Sequence, residues 1–156
     1  ASVPIVMIIA GFIAGYLSDT KFQGRRGPVV FFSFVGQLVC LFLLYKFIYN
    51  PWLAAISLIL LLGFTQGGHC IIAATAAMDF GGRKAAATAT GFIDGMQYLA
   101  GAFVGYGMGR LLDSHKVIGS IGSEFHIWPL APVIPALVGI LLSISIWNAV
   151  PNKDAH

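Results

Sequence analysis

Pro28–Tyr49 is a run of 22 residues in which Lys46 is the only charge. A helix rising about 1.5 Å per residue carries such a run about 33 Å, enough to cross a hydrocarbon layer about 30 Å thick. Similar apolar blocks cover 2–17, 52–77, 85–112 and 129–150, with Asp94 and Arg110 inside the fourth. A closed β-barrel is the other structure that satisfies its backbone in lipid, but it needs segments of about ten residues with alternating polarity. These blocks do not alternate. The sequence therefore predicts an all-α membrane protein with five transmembrane helices.

Composition agrees. The chain is 58% hydrophobic and 10% charged, whereas a soluble domain carries about 25% charged residues. Too few polar groups remain to cover a water-facing surface, so the first partner implied is the lipid bilayer. The net charge of +3 is no nucleic-acid signal, because the basic residues sit in loops at the membrane edge. Cys40 and Cys70 lie inside apolar spans and read as packing residues. No Cys/His spacing suggests a metal, and no Gly-rich phosphate loop or nucleophile triad suggests an enzyme or a cofactor. The chain enters an apolar block directly from Ala1, and is expected to be part of a longer protein.

The polar punctuation sets an orientation. Lys21, Arg25, Arg26, Arg83, Lys84 and Lys153 fall in alternate connections, with Lys46, Arg110 and Lys116 on the other side. The positive-inside rule then places residues 18–27, residues 79–84 and the C-terminus in the cytoplasm. Pro28 and Pro51 suit the opening turns of their helices, where a missing N–H costs nothing. Pro129, Pro132 and Pro135 predict an irregular or bent start to the last span. Glycines recur at four-residue spacing at Gly11/Gly15, Gly91/Gly95 and Gly101/Gly105/Gly109. Such spacing puts small residues on one helical face and lets a neighbouring backbone approach, either as static packing or as a sliding contact.

Two passages say more. Gly11–Asp19 (GFIAGYLSD) followed by Gly24-Arg25-Arg26 resembles the cytoplasmic loop motif of the major facilitator superfamily, which recurs between helices eight and nine of these twelve-helix transporters. Gly15 lets the helix end pack tightly, Asp19 can cap or pair, and Arg25 and Arg26 hold the loop inside. The second passage, Ala77–Phe92 (AMDFGGRKAAATATGF) continuing through Ile93-Asp94-Gly95, is similar to the junction of helices ten and eleven in the organophosphate:phosphate antiporters, with the sugar-phosphate exchangers nearest. Asp79, Arg83 and Lys84 would form that second cytoplasmic loop.

The resemblance implies that the five spans correspond to helices eight to twelve and that an N-terminal transmembrane half is a partner absent from this chain. In that family the phosphate is held mainly by arginines on helices one and seven. Neither helix is represented here, so Arg25, Arg26 and Arg83 do not inherit that role.

Inside the spans, Asp94 lies about ten residues into the fourth block, where an isolated charge costs about 2.5–3.5 kcal/mol on insertion scales. It would pair with a cation from the missing half, carry a coupling proton, or make a structural hydrogen bond. Thr90, Gln97 and Tyr98 extend a polar stripe from it at helical spacing. In the third block Gln66 and His69 share a face that would line the same central cavity, although a lone histidine also serves as a hydrogen-bonded packing residue. Asp94, Gln97, Tyr98, Gln66 and His69 are therefore the candidate cavity residues, and Gly101, Gly105 and Gly109 the candidate packing face.

The resemblance implies a secondary transporter working by alternating access. It would exchange a small anionic solute, a sugar phosphate or glycerol phosphate, for inorganic phosphate. A proton-coupled carrier of another solute, using Asp94, and a truncated membrane scaffold are the rival expectations.

Overall fold

The computed structural model describes residues 2–114 and 128–148. They form five α-helices: α1 (Ser2–Thr20), α2 (Arg26–Phe47), α3 (Pro51–His69), α4 (Ala77–Ser114) and α5 (Val133–Ser145). A π-helical segment, Cys70–Ala76, joins α3 to α4 without a break.

Local chemistry sets the boundaries. Two residues of positive φ, Gln23 (53°) and Gly24 (82°), end the turn after α1; the Gly24 N–H is donated to the Ser18 carbonyl at 2.9 Å. Pro28 falls in the first turn of α2, as its spacing predicts. The α3 start is capped by Asn50, whose side chain accepts from the Leu53 N–H at 3.3 Å, with Pro51 at the first helical position. Such a cap contributes about 1 kcal/mol. Before α5, residues 128–130 form a 3-10 turn, Pro132 precedes the helix, and Pro135 lies within its first turn. The three prolines thus shape the start of this span and do not bend its middle.

Glycines set how closely these helices approach. A Cβ on Gly63 would stand 3.3 Å from Val6 Cγ1, and one on Gly67 3.4 Å from Ala14 Cβ, so α3 rests on α1 along a Gly63–Gly67 face. Gly68 meets Ser33 of α2 at 3.2 Å, and Gly139 of α5 receives the ring of Phe34. The small buried core comprises Ala14, Val29, Val30 and Ile71, with Phe22, Phe34 and Ile72 packed on it. Outside it the helices present large apolar side chains, Phe12 at 77% and Ile134 at 71% exposure among them. In lipid that surface is solvated rather than stranded. Tyr49 and Trp52 flank the α2–α3 turn, both about 80% exposed, as amphipathic rings do at a membrane–water boundary.

Among the described residues, four stretches are long and apolar enough to cross a membrane: Val3–Thr20, Arg26–Phe47, Pro51–Ala73 and Trp128–Ser145. The chain is thus a multi-pass, all-α membrane bundle. The block expected at 85–112 is not among the four. Its six glycines, its threonines, Asp94 and Arg110 dilute its hydropathy, although α4 has ample length.

A further expectation differs from the structure. The loop expected at Asp79, Arg83 and Lys84 is continuous helical backbone within α4. The sequence there contains no proline, and two glycines, costing about 1 kcal/mol each relative to alanine, do not outweigh the alanine-rich run that follows. The side chains of these three residues lie outside the described set. Within this chain, Gly101, Gly105 and Gly109 have nothing within 4 Å of a built Cβ. The reason is that α4 makes close backbone contact with the π-helical segment and with no other described element. The connection at 115–127 and the tail at 149–156 lie outside the described residues.

Candidate functional site

Polar side chains within the apolar spans converge at one place. Gln37 of α2, Thr65, Gln66 and His69 of α3, and Gln97 of α4 line a cleft of about 380 Å³, with Phe34, Gly68 and Ile72 completing its wall. That volume lies within the range of about 300–1,000 Å³ common to small-molecule sites. The arrangement follows from helical periodicity. Thr65, Gln66 and His69 crowd the last turn of α3, and Gln37 is one turn beyond Ser33, which packs on Gly68.

Some of this polarity is already used. The Thr65 hydroxyl donates to the Leu61 carbonyl at 2.8 Å, and Gln66 Nε2 donates to Cys70 Sγ at 3.3 Å. Gln37, His69 and Gln97 make no side-chain hydrogen bond among the described residues. Unused amide and imidazole groups in a membrane bundle are costly unless water or a ligand meets them. Among the described residues, no Lys, Arg, Asp or Glu lines the cleft.

Of the residues singled out from sequence, Gln66, His69 and Gln97 come together here. Tyr98 does not: one residue on from Gln97 it is rotated about 100° around the helix, and it is 82% exposed. Asp94 is half-buried and stands outside the cleft lining; its Oδ1 is buried with no hydrogen-bond partner among the described residues. Gln37 was missed. Its signal was the same as that of Gln66, a lone amide within an apolar span.

The Gly15–Arg26 motif builds a second polar centre at one end of the bundle. Arg26 Nη1 donates to Asp19 Oδ1 at 2.6 Å and to Ser18 Oγ at 2.7 Å. Ser18, wholly buried, donates in turn to the Arg25 carbonyl at 3.4 Å. Arg25 itself is exposed, and Gly15 has open space around it. Sequence reasoning missed Gly27, against which the α5 end closes: a Cβ there would stand 2.6 Å from the Ile146 carbonyl oxygen. Phe31 and Trp147 stack edge-on beside it, centroids 5.4 Å apart.

A multi-pass helical bundle with a polar cleft and a polar clasp at one end defines the class. Its relatives narrow it. The chain is 33% identical over 138 residues to a protein named as a probable hexose phosphate transport protein of Chlamydia trachomatis, covering 88% of this chain and 28% of that protein. A Chlamydia pneumoniae protein of the same name is 34% identical, with 88% and 29% covered. The membrane sensor protein UhpC of Escherichia coli is 27% identical over 106 residues, with 68% and 24% covered. No family model matches the chain, and no solved structure matches it. The similarity is thus a family-level link to hexose-phosphate transport proteins and UhpC-type sensors, and the chain spans less than a third of the length of these relatives. They are named for transport and sensing rather than catalysis.

Proposed function

We propose that this chain forms part of a major facilitator superfamily carrier that exchanges phosphorylated small organic molecules, a sugar phosphate or glycerol phosphate, for inorganic phosphate by alternating access. The observation that carries it is the 33% identity, over 88% of the chain, to a protein named for hexose phosphate transport. In this reading α4 is the fifth membrane-crossing helix, and further helices supply the cations that hold phosphate. The connection after α1 and the C-terminus face the cytoplasm, consistent with the density of Lys21, Arg25 and Arg26. Gln66, His69 and Gln97 border the transport cavity; Asp94 neutralises a cation from an adjoining helix.

The experiment uses the complete protein in vesicles preloaded with inorganic phosphate. Uptake of labelled glucose 6-phosphate or glycerol 3-phosphate that requires internal phosphate supports exchange. A pH gradient driving uptake into phosphate-free vesicles overturns it in favour of a proton-coupled carrier. The likeness to UhpC favours a second reading, sensing without turnover. Saturable glucose 6-phosphate binding with no uptake distinguishes it.

A further inference from the structure

We infer that the cleft between Gln37, Gln66, His69 and Gln97 receives the hydroxyl-bearing part of the transported molecule, and that Gln37 helps set which hydroxyl pattern is accepted. The inference rests on the exchange reading and assigns one half of the substrate to a named place.

The argument is chemical. A phosphate needs concentrated positive charge or an array of aimed N–H groups, and among the described residues no Lys or Arg lines this cleft. An apolar ligand is equally unsuited, because it would leave the amides of Gln37 and Gln97 and the His69 imidazole unpaired in a low-dielectric setting. A purely structural network would show these groups bonded to one another across the helices. Among the described residues they are not.

What remains is a neutral ligand dense in both donors and acceptors. A carboxamide presents an acceptor oxygen and two donor N–H groups side by side, which suits neighbouring hydroxyls on a carbon chain or ring. Gln66 has spent one N–H on Cys70, so its carbonyl oxygen is available to a hydroxyl proton. Thr65, whose own proton goes to Leu61, also offers acceptor lone pairs. Gln37 and Gln97 approach from α2 and α4 with their full capacity unspent. Phe34 adds an apolar wall against which the C–H face of a sugar can lie.

The test separates the two ends of the substrate. In phosphate-loaded vesicles of the complete protein, Gln37→Leu should raise the KM for glucose 6-phosphate about 3–10-fold, the range of one or two neutral hydrogen bonds. Phosphate–phosphate self-exchange should be impaired clearly less than sugar-phosphate uptake. In a series of monodeoxy glucose 6-phosphates, one analogue should be handled equally by wild type and variant, because the hydroxyl that Gln37 meets is gone. Gln97→Leu, at an exposed position, should give the same split and decides the matter if Gln37→Leu does not fold. Parallel losses in self-exchange and sugar-phosphate uptake, or no change in either, would overturn the assignment while leaving exchange standing. A wild-type protein that takes up no sugar phosphate would overturn the exchange reading, and this inference with it.

Discussion

Arg26, near the start of α2, reaches back across the turn to Asp19 at the end of α1, Nη1 to Oδ1 at 2.6 Å. The two ends of this pair differ in setting: the arginine side chain is 11% exposed and the aspartate 65%. Arg26 also holds the buried Ser18 hydroxyl at 2.7 Å. The clasp therefore depends more on its arginine than on its carboxylate. Arg26→Ala should destabilise the bundle by about 2–3 kcal/mol, since it removes a charge-assisted bond and strips a partner from a buried hydroxyl. Asp19→Asn keeps an acceptor oxygen at a solvated position and should cost about 0–1 kcal/mol. Thermal unfolding of the detergent-solubilised protein measures both; equal losses would mean the carboxylate, not the buried hydroxyl, dominates.

Gly27 should be intolerant and Gly15 permissive. A Cβ at Gly27 runs into backbone atoms, the Ile146 carbonyl oxygen at 2.6 Å and Trp147 Cα at 2.8 Å, so α5 must move to admit it. Gly27→Ala should cost about 1–3 kcal/mol. Gly15 has nothing within 4 Å, and Gly15→Ala should stabilise α1 by about 0.5–1 kcal/mol through backbone entropy. The same unfolding measurement reads both changes with opposite signs.

Orientation is tested by labelling the two turns that flank α2. Gln23 and Asn50 are both exposed and lie at opposite ends of this helix. Gln23→Cys should react with an impermeant maleimide only from the cytoplasmic side, and Asn50→Cys only from outside. Reversed labelling would contradict the positive-inside reading of Lys21, Arg25 and Arg26.

The α1–α3 bundle was legible in the sequence because its signals are local and agree: an apolar run of membrane length, Pro28 and Pro51 at helix starts, and a polar connection over 18–27. The passage through residues 79–84 was not. Charges and glycines suggest a loop there, but helix termination requires a stop such as proline or a capped end, and neither occurs before the alanines. Glycine spacing was read as a packing device at Gly11/Gly15, Gly91/Gly95 and Gly101/Gly105/Gly109, and the pair Gly63/Gly67 was missed. Gly63 and Gly67 have the four-residue spacing and meet α1; Gly101, Gly105 and Gly109 have it and meet nothing within 4 Å. Spacing alone does not say which small-residue face has a partner. The cleft was half legible for a related reason: Gln66 and His69 announce themselves within one helix, whereas their meeting with Gln37 depends on how α2 crosses α3.

That difference gives a further test. Gly105→Leu should leave the stability of this 156-residue chain unchanged, because its face is open here. The same change in the complete protein should lower folded yield, read as monodisperse elution in detergent, when a helix from elsewhere covers that face. Normal yield in both would assign the face to lipid.

Asp94 decides between a permanently paired charge and a working proton site. Its Oδ1 is buried and meets no hydrogen-bond donor among the described residues. A carboxylate in that position needs a compensating group, because its charge is poorly solvated in the bundle. Asp94→Asn preserves shape and hydrogen-bonding capacity while removing the charge. With a cation paired to Asp94 from an adjoining helix, the substitution strands that cation within the membrane, and phosphate–phosphate exchange by the complete protein should fall by about tenfold or more at both pH 6 and pH 8. A second substitution that neutralises the partner cation should restore part of the folded yield, since the pair is then removed as a unit. A proton-coupled carrier behaves otherwise: exchange persists in Asp94→Asn, and only uptake driven by a pH gradient is lost. Measuring both modes in the same vesicles makes the outcomes exclusive. Retained exchange with abolished pH-driven uptake would remove the paired-charge role from Asp94.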